Sequence, residues 1–81
     1  MDAKAIIEFV ELIETDYSTP KNVKDKLAEI KKILNEKGKD KAIKADKCIS
    51  ILEELDEDPN IEPFTRTNLW NLVSMLEQFK E

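Results

Sequence analysis

Asp56, Asp58, Asn60 and Glu62 stand at alternate positions in "DEDPNIE", and Arg66 and Trp70 follow, four apart, in "TRTNLW". Alternating oxygen donors open an EF-hand calcium loop, which then demands glycine at its sharp turn and a bidentate glutamate at its last position. Ile61 and Thr67 occupy those two places. The segment therefore reads as a source of weak, nonspecific cation binding and not as a calcium site. Histidine is absent, which removes the commonest general base, the triads built on it and most catalytic zinc sites. Cys48 alone cannot supply a zinc finger or an iron–sulfur cluster, and Gly38 alone cannot build a phosphate-cradling loop. Only carboxylate chemistry remains, so we expect no catalytic residue, no metal ligand and no cofactor.

Recognition is better represented. On a helix, Arg66 can lay its guanidinium over the Trp70 indole, while Thr67, Asn71 and Ser74 form an adjacent polar line. Tryptophan and arginine are over-represented at binding hot spots, so a contact patch of Phe64, Arg66, Trp70, Asn71 and Ser74 is the leading candidate. The competing reading has Trp70 covering the edge of the core and Arg66 pairing with acids of the preceding turn. A second candidate is the lysine strip Lys37, Lys39, Lys41, Lys44 and Lys47. Its last three members recur at steps of three, as phosphate contacts would require. Interleaved Asp40 and Asp46, a net charge of −5 and the lack of any aromatic residue between Tyr17 and Phe64 argue for a solvated face instead.

The elements that position these residues are helical. Eighty-one residues, 41% apolar and 38% charged with one glycine, suit a single helix-rich domain spanning 1–81. Apolar residues recur at steps of three and four in four blocks, with no alternation long enough for a strand. The first block carries Ala3, Ile6, Val10 and Ile13 and should end near Asp16. Thr19 is expected to cap a second helix, with Pro20 at its first position and Val23, Leu27, Ile30 and Leu34 as its stripe. Gly38 is expected to provide its left-handed C-terminal cap. Asp40 should cap a third helix bearing Ala45, Ile49, Leu52 and Leu55. Pro59 and Pro63 break it, and a fourth stripe of Leu69, Leu72, Val73, Leu76 and Phe79 begins between Pro63 and Thr65.

Short connections favour antiparallel neighbours, which makes the expected fold all-α: an up-and-down four-helix bundle built from two helical hairpins. An offset of 42 residues superposes the halves, pairing Ile7 with Ile49, Phe9 with Ile51, Val10 with Leu52, Ile13 with Leu55, Leu27 with Leu69, Ile30 with Leu72 and Leu34 with Leu76. Equal-length amphipathic hairpins produce such matches without duplication. Residues 1–30 carry a charge of −3, residues 31–50 of +4 and residues 51–81 of −6. In the bundle this charge separates into an acidic end, around Asp16 and Asp56 to Glu62, and a basic end around Lys37 to Lys44. The N-terminus has neither the basic start nor the apolar run of a signal peptide, and no segment approaches the roughly 20 apolar residues of a membrane span. The expected location is the cytoplasm, away from membranes. Cys48, among Ile49, Ile51 and Leu52, reads as a small core residue.

Three segments, "TPKNVKDK" at 19–26, "CISILEELDEDPN" at 48–60 and "TRTNLWNLVSMLE" at 65–77, give a chain that resembles uncharacterised protein family 0147 of the archaea. The best-matched features are Asp58, Pro59 and Asn60, followed by Thr65, Arg66, Thr67 and Trp70. The resemblance implies an all-helical bundle in an archaeal cytoplasm and supplies no catalytic or cofactor residue to carry over. "NEKGKDKAIKADK" is more basic than the resemblance leads one to expect. A looser similarity to HEAT-type repeats, in Pro20, Val23, Lys24 and Leu27, gives a HEAT-like pair as the alternative fold. The expected function is a non-enzymatic interaction module binding another protein or a second copy as a homodimer. The alternative is a nucleic-acid or ribonucleoprotein accessory using the lysine strip.

Overall fold

The structure, a computed structural model, describes residues 2–81. Four helices follow in order: α1 (Ala3–Thr15), α2 (Lys21–Asn35), α3 (Lys41–Asp56) and α4 (Pro63–Lys80). No strand occurs among the described residues. Asp2 and Asp40 start α1 and α3 by accepting hydrogen bonds from the amides of Ala5 and Ala42 at 3.1 and 2.7 Å. Each carboxylate satisfies one of the amide groups that a first turn leaves unpaired.

Each helix contacts its neighbours in the chain, and α1 closes on α4; no contact joins α1 to α3 or α2 to α4. That ring is an up-and-down bundle. A HEAT-like stack would set α1 beside α3 and α2 beside α4, so the missing diagonals exclude the alternative fold. Its dimensions are 35 × 21 × 18 Å. The core draws on every helix: Ile6 and Val10, then Val23, Leu27 and Ile30, then Ala45, Cys48 and Leu52, then Leu69, Leu72 and Leu76, all at most 1% exposed. Five of the seven pairs matched by the 42-residue offset are buried in both members. The two hairpins thus place equivalent residues in equivalent core layers.

Two expected caps act differently. Pro20 is itself the N-cap of α2, extended with ψ 154°, and the helix begins at Lys21. The Thr19 hydroxyl turns back to donate to the Ile13 carbonyl at 2.9 Å. Thr19 therefore seals the end of α1 and does not cap α2. It is also buried, where an unpaired hydroxyl would be costly, and it takes the second lone pair of the Ile13 carbonyl, which also accepts the Asp16 amide at 3.2 Å. At the other end of α2, the C-cap is Glu36 in extended conformation, and Gly38 takes its φ of +79° two residues later, inside the turn. Lys44 Nζ, from α3, reaches the Leu34 carbonyl at 3.4 Å and places a cation where the α2 dipole is negative.

Lys31 ties α2 to α1 through Glu14 at 2.7 Å and Glu11 at 3.6 Å. Its hydrogen bond to Glu14 raises its pKa above that of a free lysine. Lys80 joins α4 to α3 through Asp46 at 3.2 Å. The links 16–20 and 57–62 share one end, where Asn22 Nδ2 donates to Asp58 Oδ2 at 3.2 Å. The turn between α2 and α3 lies at the other.

Cys48 is fully buried, its Sγ 3.9 Å from the Ile30 carbonyl oxygen. Burial, reinforced by Glu29, pushes its thiol up to about 12. Since the thiolate is the nucleophile, a disulfide reagent is expected to leave the native protein unlabelled over minutes and to label one equivalent at once in denaturant. Absorbance of the released thiolate checks this, and prompt labelling under native conditions would show that the core at α3 opens readily.

Candidate functional site

The last turn of α3 and the first turns of α4 meet across the link 57–62, and the link's own chemistry fixes how they meet. The Asp58 carboxylate accepts from the Asn60 amide at 2.9 Å, the side-chain-to-backbone bond that favours Asp in turns. Ile61 follows, 5% exposed, and plugs the end of the core. Pro63 then opens α4 with a preset φ and no amide hydrogen to leave unpaired.

Arg66, one turn into α4, reaches back over this link. Its Nη1 donates to the Asp56 carboxylate at 2.7 Å and to the Asp56 carbonyl, and its Nη2 donates to the Asp58 carbonyl at 2.7 Å. Those carbonyls belong to a helix end that lacks intrahelical donors, so one guanidinium closes α3 and pins the turn. Trp70, the next turn along, donates Nε1–H to the same Asp56 Oδ1 at 3.0 Å. The guanidinium and the indole therefore converge edge-on around one carboxylate; the expected stacking of Arg66 over Trp70 does not occur. Arg66, and after it Trp70, hold the Asp56 carboxyl below the usual carboxylate range.

The indole remains 55% exposed. It forms one wall of a groove of about 250 Å³ between α3 and α4, completed by Leu52, Leu69, Val73, Glu53 and Asp56. Leu52 and Leu69 are each 1% exposed and provide an apolar floor; Arg66 offsets the charge of Asp56, and Glu53 leaves the rim negative. Trp70 is thus a groove wall tied to Asp56, with more than half of its surface facing solvent.

The expected five-residue patch is divided. Arg66 and Trp70 lie on the flank of α4 facing α3, and Ser74, one turn further, is exposed beside them. Phe64 is 64% exposed but stands six residues before Trp70, about 120° around the helix at 100° per residue. Asn71, seven residues after Phe64, is exposed on that same second flank. Sequence reasoning missed Leu52, Glu53, Asp56, Leu69 and Val73 as parts of one site. The available signal was that a six-residue link brings the end of α3 beside the start of α4.

The lysine strip is dispersed as well. Lys39 pairs with Glu36 at 2.8 Å, which raises the lysine's pKa and lowers the glutamate's. Lys41 lies over the Phe79 ring of α4, 5.8 Å from its centroid, whereas Lys44 points to α2. The two ammonium groups therefore reach toward different neighbouring helices, α4 and α2, and do not share one outward face. Lys37 and Lys47 stay exposed. Among the described residues, no group of three or more His, Cys, Asp or Glu side chains is arranged to hold a metal ion, and no helix is long and apolar enough to cross a membrane.

Fold and site together define the class of protein: a small closed bundle of four antiparallel helices with a carboxylate-anchored arginine and tryptophan at the α3/α4 corner. The chain belongs to the Uncharacterised protein family (UPF0147), whose profile matches residues 2–79. It is 41% identical to the UPF0147 protein of Methanosarcina mazei over 71 residues, covering 88% of this chain and 76% of the relative. It is 36% identical to that of Sulfurisphaera tokodaii over 78 residues, 96% of this chain and 88% of the relative. Among solved structures, the crystal structure of the unknown function protein MMP1188 is similar, with a TM-score of 0.88 at 31% identity, covering 96% of this chain and 89% of that one.

Proposed function

We propose that this chain is a non-enzymatic cytoplasmic module that binds another protein, or a second copy of itself, through the α3/α4 groove beside Trp70. The observation that carries this reading is a half-exposed tryptophan oriented by a hydrogen bond to the Asp56 carboxylate at 3.0 Å beside a floor of buried leucines. A large aromatic already fixed in orientation loses little rotamer freedom on binding, and such residues dominate interface energetics. The acidic rim would select a partner presenting a basic residue beside an apolar one.

Affinity capture of the tagged protein from native lysate, with and without nuclease and read by mass spectrometry, tests the proposal. Wild type is expected to retain a nuclease-resistant partner set or a second copy of itself. Trp70→Ala is expected to weaken that capture at least tenfold, on the order of a binding hot spot, while circular dichroism shows unchanged helicity. A partner set unaffected by Trp70→Ala would remove the groove from the reading. A set that collapses on nuclease treatment would move the function to Lys37, Lys39, Lys41, Lys44 and Lys47.

A further inference from the structure

The outer face of α3 is unlike that of a solvated helix. Ile43, Lys47, Ser50 and Glu54 follow at steps of four, three and four, so they form one stripe along the helix. All four are exposed, and Ile43 is 53% exposed on the side turned away from the core. Charge along this helix reverses from end to end: Lys41, Lys44 and Lys47 outnumber Asp46, itself paired with Lys80, in its first half, and Glu53, Glu54 and Asp56 occupy its second. Among the described residues, Lys47, Glu53 and Glu54 have no ion-pair partner within 4.0 Å. Next to the acidic half lies the groove with its apolar floor and acidic rim.

We infer that the groove's occupant is a second copy of this chain, docked by a two-fold axis through Ser50 that sets the two α3 helices antiparallel. The inference rests on the proposed function and names its partner. A helix that is basic in one half and acidic in the other is self-complementary when it meets itself reversed, and a two-fold contact makes every pairing twice. At 1.5 Å per residue, Ile43 and Glu57 lie about 10 Å on either side of Ser50. Reversal therefore brings Ile43 of one copy level with Asp56 and Glu57 of the other, at the mouth of the groove beside Trp70. The same operation brings Lys47 level with Glu53 and Glu54. Ser50, small and uncharged, sits on the axis where the helices approach most closely. An exposed isoleucine beside an unpaired lysine is what an apolar groove with an acidic rim would recognise, and this chain carries both halves of the match.

Charge exchange tests the arrangement, with sedimentation velocity over a concentration series as the readout. Wild type is expected to show reversible dimerisation. Lys47→Glu and Glu54→Lys are each expected to raise the dimer dissociation constant at least tenfold, since each sets like charges together twice. Mixing the two variants is expected to restore association as a heterodimer, because both cross pairs are then of opposite charge. Circular dichroism of each variant separates lost association from lost folding. Trp70→Ala and Ile43→Ser are expected to weaken the wild-type dimer as well. A wild type that stays monomeric to about millimolar concentration, or variants that dimerise like wild type, would overturn the inference. If Trp70-dependent capture of a different protein persisted in that case, the groove reading would stand without it. A dimer that obeys the charge exchange but ignores Trp70→Ala would overturn the seating of Ile43 in the groove.

Discussion

Replacing Leu72 by alanine is expected to lower the unfolding free energy by about 3–4 kcal/mol, within the 2–5 kcal/mol range of buried leucine truncations. Leu72 is 0% exposed and lies midway along α4 in a core to which all four helices contribute. The loss has two parts, the transfer free energy of the removed methyl groups and the cavity left where rigid helices cannot close in. A domain of 81 residues has on the order of 4–12 kcal/mol of stability at 0.05–0.15 kcal/mol per residue. The variant should therefore unfold at much lower urea concentration with an unchanged denaturant slope, followed by circular dichroism. A loss under about 1 kcal/mol would mean that the centre of the bundle relaxes freely around the missing groups.

Arg66→Ala is expected to destabilise by roughly 1–2 kcal/mol, chiefly because it leaves the part-buried Asp58 carbonyl without its charged donor, whereas water can replace that donor at the exposed Asp56 carbonyl. Chemical denaturation gives that number, and the pH dependence identifies its source. The folded-state pKa of Asp56 is depressed by Arg66, so its contribution is present above the unfolded value near ~4 and is lost as pH falls through the lower folded value. Wild type should therefore lose melting temperature on acidification below about pH 4, and Arg66→Ala should lose less over the same interval. Parallel acid limbs in the two proteins would show that the guanidinium acts on the carbonyls alone. Trp70 fluorescence offers a local readout, since its indole shares the Asp56 carboxylate and is the only tryptophan.

The helices were legible because their signals are local. Val23, Leu27, Ile30 and Leu34 recur within one stripe, Asp40 stands where an N-cap belongs, and Pro63 opens α4 as its missing amide hydrogen favours. The charge separation followed from the topology, and Asn22 with Asp58 shows the two acidic links side by side. Less legible were contacts in which a side chain chooses among distant acceptors. Thr19 has the composition of an N-cap, yet the Ile13 carbonyl, six residues back and exposed by the end of α1, takes its hydroxyl. Gly38 is free to adopt positive φ and does so, but the turn and not the helix end uses that freedom. Arg66 and Trp70 have the spacing for stacking; the Asp56 carboxylate, ten residues before Arg66, outcompetes a cation–π contact because a charge-assisted hydrogen bond is the stronger interaction. Ile61 stands between two helix-breaking prolines, and only the closed end of the bundle reveals it as core.

The ring of helix contacts also orders the folding reaction. Three of its four seams join helices consecutive in the chain, and only the seam between α1 and α4 links the two extremes. Loop-closure entropy grows as about (3/2)RT ln n, so bringing together segments roughly three times as far apart as those of a hairpin costs about 1 kcal/mol more. Contacts between consecutive helices are available to the unfolded chain first, and topologies dominated by them fold in microseconds to milliseconds. The α1/α4 seam becomes the closing event, the point at which an open row of helices turns into a sealed bundle and the last face of the core leaves water.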